Sequence, residues 1–129
     1  MNMASRNRKG PLDVLRSNVS GANEDAARDL FLYADNTSEL YPRKKAILAN
    51  LLRKILKGTY NPALAPKAFE YLMSDAAKRY NREMGVYIRD GQKSSFSAPT
   101  RRLAAKMMAE QEEYPLTHGE YTLAALTRR

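Results

Sequence analysis

The chain is 129 residues long, with 22 Lys and Arg against 14 Asp and Glu, one His, no Cys and 43% apolar residues. That length and composition fit one globular domain with a single core. The absent thiols exclude a disulfide framework, thiol catalysis and thiolate zinc sites, and a lone His argues against a His-based metal site. The formal charge of +8 points toward acidic partners and says nothing about fold.

Residues 1–20 read as a flexible basic tail. Arg6, Arg8 and Lys9 precede Gly10-Pro11, and Ser17, Asn18 and Ser20 follow. No apolar signal-peptide core is present, and Pro11 interrupts any amphipathic helix of the transit-peptide kind. Two roles stay open for this stretch: a disordered start, or a basic arm that orders on nucleic acid or on a partner.

Residues 21–113 read as a helical domain. Asn23 is placed to cap a first helix, with Glu24 and Asp25 complementing its positive end. Ala26, Ala27, Leu30, Phe31 and Ala34 share one face, and Glu24 and Arg28 stand at i,i+4. The helix is expected to stop at Asp35-Asn36-Thr37-Ser38, where Asp35, Asn36 and Glu39 read as a capping turn and not as a cation loop.

The second helix has Pro42 in its first turn and Gly58 as its stop. Ile47, Leu48, Leu51, Leu52, Ile55 and Leu56 fall on one half of the wheel. Arg43, Asn50, Arg53, Lys54 and Lys57 fall on the other. Lys44 lies on the apolar side near the start, where it is expected to snorkel or fray outward.

Asn61-Pro62 opens a third helix. Pro66 sets 62–65 apart as a turn before a regular helix from 66 to 84, closed by Gly85. Its apolar stripe is Ala65, Ala68, Phe69, Leu72, Met73, Ala76, Tyr80 and Met84. Residues 86–96 read as a loop with at most a small hairpin, since Val86-Tyr87-Ile88 favours a strand and Asp90-Gly91 favours a two-residue turn.

Ser97 or Thr100 caps a fourth helix over 99–113, with Leu103, Ala104, Met107, Met108 and Gln111 on one face. Its charges oppose the macrodipole: Arg101 and Arg102 begin it and Glu110, Glu112 and Glu113 end it. Either those groups have partners elsewhere or the helix frays. Residues 114–129 read as a C-terminal tail with one or two helical turns at most.

The fold class is therefore all-α: a small bundle of three to four helices around a central αα-hairpin made by the second and third. The short link from Gly58 to Asn61 and the two facing apolar stripes point to that hairpin as the core.

Across residues 32–84 the pattern Leu32-Tyr33, Asn36, Leu40-Tyr41, Ile47, Asn50-Leu51, Lys54, Gly58-Thr59-Tyr60, Ala65, Lys67, Tyr71-Leu72, Ala76-Ala77 and Tyr80 resembles a group of small proteins encoded by bacteriophages and mobile elements. Phe96, Arg101, Leu103-Ala104 and Gly119-Glu120-Tyr121 fit the same group loosely. Met84 departs from it, standing where an aromatic residue is expected. The resemblance implies a bacterial host cytoplasm, or a virion, as the setting. The group has no assigned activity, so no catalytic or binding residue is carried over.

Familiar catalytic motifs are missing from the chain. There is no P-loop, no G-x-G-x-x-G, no nucleophile elbow and no H-E-x-x-H. His118 lies in a Gly-flanked tail and reads as a surface histidine. Glu112 and Glu113 are adjacent and point to different sides of a helix, so they do not form a catalytic pair. Neither an enzyme nor a cofactor is expected.

The positive feature is the second helix. Arg43, Arg53, Lys54 and Lys57 are placed to line phosphates, and Tyr41 and Tyr60 at its two ends are placed to stack on unpaired bases. Tyr71, among Lys67, Lys78 and Arg82, is a second candidate contact. Three uses of these residues remain open: a nucleic acid held by its phosphate backbone, an acidic protein surface on a host or viral partner, or a solvated face that binds nothing. Membrane binding is disfavoured because the apolar side of the helix is needed for the core.

Overall fold

The structure is a computed structural model that describes residues 21–84 and 96–128. The expected tail at 1–20, Gly85, and the loop at 86–96 apart from Phe96 lie outside the described residues. Six helices are present among those described: α1 (Glu24–Asn36), α2 (Tyr41–Lys57), α3 (Ala65–Ala68), α4 (Glu70–Glu83), α5 (Ala98–Thr117) and α6 (Leu123–Thr127), with a 3₁₀ turn (Ser38–Leu40) before α2. There is no strand among the described residues. The all-α class is as the periodicity predicts.

Local signals act where they were expected. The Asn23 side chain accepts from the Ala26 backbone N–H at 3.0 Å and opens α1. Ala27, Leu30 and Ala34 are buried on its inner face. Pro42 stands in the first turn of α2, where its missing N–H costs no ladder bond. Gly58 ends that helix at φ 77°, and the Thr59 N–H returns to the Lys54 carbonyl at 2.8 Å. A left-handed residue at a helix end is what glycine provides without a Cβ clash.

The centre of the bundle differs from the expected hairpin. Helix α5 is buried nearly all round, by Leu103, Ala104, Ala105, Met107, Met108 and Ala109 among others. It packs against α1, α2, α3 and α4. A helix apolar on every side belongs inside. The Leu and Ile stripe of α2 thus does not close mainly on α4. Leu56, assigned to that stripe, is 68% exposed at the end of α2.

The third helix is two pieces. The Phe69 N–H bonds the Pro66 carbonyl at 3.0 Å, a tight i,i+3 closure, and the chain restarts as α4 at Glu70. Phe69 is wholly buried at the break, while Ala68 is exposed. Tyr80 is packed, as expected, edge-to-face between Tyr33 and Phe96 with centroids 5.2 and 5.1 Å away.

The C-terminal stretch is more ordered than a tail. Ser97 caps α5, accepting from the Thr100 N–H at 3.2 Å, and the helix runs through Pro115 to Thr117. A proline removes one ladder donor. Here it does so in the last turn, where Leu116 is buried and the Thr117 hydroxyl bonds the Glu113 carbonyl at 2.8 Å. Thr122 then caps α6, which lies against α2 and buries Leu126.

Candidate functional site

Three of the five charges that oppose the α5 dipole, Arg101, Glu112 and Glu113, are held by partners. Arg101 bonds the Phe96 carbonyl at 2.6 Å, and Tyr60 donates to Glu113 Oε1 at 2.5 Å. Glu112 faces the other way and is 4% exposed. It holds Lys44 Nζ at 2.9 Å, and Lys44 also reaches Asp35 Oδ1 at 2.5 Å. Tyr121 donates to the second oxygen of Glu112, and the Gln111 amide bridges Asp35 and Glu112 at 3.3 and 3.2 Å. Lys44, expected to snorkel or fray, is instead 8% exposed. Asp35, expected to serve a capping turn, is one of its partners.

This cluster ties α1, α2, α5 and the approach to α6 together. Burial alone would lower the Lys44 ammonium. The hydrogen bonds to Asp35 and Glu112 outweigh that and hold its pKa above the ordinary lysine value. Burial and the Glu112 carboxylate push the Tyr121 phenol well up, and burial and Glu113 do the same to Tyr60. Burial and Glu83 raise Tyr33 to about 12.

The sequence-predicted binding residues do not form one set. Arg43 is paired with Asp75 on α4 and Tyr60 is tied to Glu113, so neither is free for phosphates or bases. Tyr71 is 81% exposed, more than a ring laid flat on its own helix would keep. It stands on α4, apart from the residues that line the grooves on either side of α2. Arg53 is exposed and donates to Asn50 Oδ1 at 2.8 Å. Lys54 and Lys57 are exposed and have no acidic partner among the described residues.

What the fold adds is a groove of about 620 Å³ between α2 and α6. Its charged lining is Lys45, Arg53 and Arg128, with Tyr41 at one end and Asn50 and Thr127 as neutral polar groups. Lys45 Nζ bonds the Arg128 carbonyl at 3.0 Å and lies over the Tyr41 ring, 5.6 Å from its centroid. Tyr41 remains 54% exposed. A smaller groove of about 430 Å³ lies on the other flank of α2, lined in part by Lys54, Lys67 and Tyr60.

Sequence reasoning missed Lys45 and Arg128 as site residues. No periodicity relates α2 to a five-residue helix some 80 positions later. The buried cluster did leave a trace: Lys44 and Glu112 are opposite charges that each sit on an apolar stripe, and such residues need a partner inside.

Around His118 the ring stacks on Tyr114 with centroids 3.8 Å apart, and its Nδ1 lies 3.0 Å from the Thr117 hydroxyl. Among the described residues no group of His, Asp and Glu is arranged to hold a metal ion, and no helix is long and apolar enough to cross a membrane. No protein-family model matches the chain, and neither a curated protein nor a solved structure is significantly similar to it.

Proposed function

We propose that this chain is a small basic helical binding protein that contacts nucleic acid through its phosphates, at the α2–α6 groove and the cations beside it. One observation carries this reading: among the described residues, the charged lining of the groove is entirely cationic. Lys54, in the groove on the other flank of α2, and Lys57 add exposed cations on the same helix. Phosphates are neutralised by such groups whatever the base sequence. The resemblance of residues 32–84 to phage and mobile-element proteins favours a bacterial host cytoplasm, or a virion, as the setting.

The test is fluorescence anisotropy with labelled oligonucleotides across a salt series. If Lys45, Arg53, Lys54, Lys57 and Arg128 each meet one phosphate, log K falls against log salt with a slope of roughly −3.5 to −4.5. Reversing charge at Arg53 and Lys54 weakens binding to all sequences alike. Absence of any complex at about 50 mM salt, where phosphate contacts are strong, removes the proposal.

A second reading is a protein–protein effector or virion component. The exposure of Tyr71, with Leu64 and Leu56 also open, favours it. Partners recovered from bacterial lysate that survive nuclease treatment, together with no binding to oligonucleotides, would select it.

A further inference from the structure

The charge of the groove says that an anion fits. If that anion is a nucleic acid, as the proposed function requires, the shape of the groove says which form of it. The groove is the seam of two helices, with α6 laid directly against α2. A major groove is about 12 Å wide and admits one α-helix. Two packed helices have axes about 8–10 Å apart and diameters of about 10–12 Å each, so together they are too broad to enter. With α6 packed on it, α2 does not enter a major groove along the seam, which leaves a duplex only its outer phosphates.

A single strand meets no such limit. Lys45 and Arg53 are eight residues apart on α2, about 12 Å along its axis. That is the reach of about two nucleotides of an open strand. The 620 Å³ of the seam is the size of ordinary small-ligand sites, about 300–1,000 Å³, and takes one or two nucleotides rather than a rigid double helix. At its end stands an aromatic ring that is more than half open, with Lys45 over one face. An unpaired base offers a π-face to such a ring, whereas a paired base has both faces covered by its neighbours. Exposed tyrosines beside a cationic track are how single strands are held without sequence preference.

We infer that the α2–α6 seam is a single-strand site: Arg53 and Arg128 hold consecutive phosphates, and one unpaired base stacks on Tyr41. Lys45 is a positioning residue as well as a cation. It fixes the Tyr41 ring from one side and the end of α6, through the Arg128 carbonyl, from the other.

The experiment compares a short fluorescein-labelled oligothymidylate with a duplex of the same length, on the full chain. The expected result is tighter binding of the single strand. Tyr41→Leu should weaken it about ten-fold, the loss of one base–aromatic stack, and Tyr41→Phe should keep it. Arg128→Ala should weaken it as Arg53→Ala does, although the two residues are far apart in sequence. Far-ultraviolet circular dichroism checks that each variant is folded. Equal or tighter binding of the duplex overturns the inference and leaves the phosphate reading standing. So does a Tyr41→Leu variant that binds the single strand within two-fold of the parent. Binding of neither probe overturns both.

Discussion

Lys44→Met removes the cation that sits between two carboxylates. The new side chain is unbranched and of similar length, so packing is nearly conserved and the charge is what is lost. Glu112 is then left 4% exposed, with the Tyr121 hydroxyl and the Gln111 amide as its remaining donors among the described residues. Asp35 faces it with a quarter of its side chain open to solvent. Breaking a buried pair from one side costs about 3–5 kcal/mol, because a charge stays behind without compensation. For a domain of this size that corresponds to a fall in Tm of roughly 10–20 °C. The assay is urea denaturation followed by circular dichroism at neutral and at mildly acid pH. The loss should shrink as acid protonates the stranded carboxylates. The double variant Lys44→Met with Glu112→Met should cost less than the sum of the two single changes, since Lys44→Met strands the buried Glu112 carboxylate and the double variant does not. A loss under about 1 kcal/mol in Lys44→Met, or simple additivity in the double, would refute the role given to this cluster and place Lys44 among ordinary surface lysines.

Two further outcomes follow from the same packing. Tyr33, Tyr60, Tyr121 and Lys44 all have pKa values raised in the folded state. A raised group gives stability that is complete below its unfolded pKa and is lost as pH climbs through the folded one. Denaturant midpoints should therefore hold up to about pH 10, the unfolded tyrosine value, and drop above it, with Tyr121→Phe blunting the drop. A midpoint that is flat into strong alkali would contradict the bonds to Glu83, Glu112 and Glu113. Leu103→Ala, wholly buried on α5, should cost about 2–5 kcal/mol, while Leu56→Ala on the open end of α2 should stay within about 0.5 kcal/mol. Equal costs at the two positions would mean that α5 is not the centre of the bundle.

The contrast between those two leucines shows what the sequence made legible. Helix starts and stops are set by bonds between near neighbours: Asn23 to Ala26, Ser97 to Thr100, Thr59 to Lys54. A cap or a left-handed glycine announces itself in a few letters, and those assignments hold. Leu56 obeys the 3.6-residue period as well as Leu52 does, yet of the two it is Leu52 that is buried, because burial depends on which neighbour covers that end of the helix. The same limit hid the centre. Helix α5 has Leu103, Ala104, Ala105, Met107, Met108 and Ala109 in nearly unbroken succession, which is a signature of a helix buried all round. Its flanking charges draw attention away from that run. The third helix is interrupted at Phe69, whose N–H closes on the Pro66 carbonyl while its ring is wholly buried.

The net charge illustrates the consequence for function. Residues 42–60 hold six cations and no acid, and counted along the chain they form one basic helix. Folding divides them. Lys44 is consumed internally by Asp35 and Glu112, and Arg43 by Asp75. Lys45 is turned toward the end of α6, where Arg128 joins it from outside the segment. Four cations of the original six thus remain for a partner, and they are no longer one stripe. Lys45 and Arg53 line the seam with Arg128, while Lys54 lines the groove on the opposite flank. Each cation withdrawn is neutralised by a carboxylate from another helix, so the same pairs that link the helices also define the binding face. The charge a partner meets therefore differs from the charge counted in sequence: the acids that the fold brings beside α2 lower it, and Arg128 raises it.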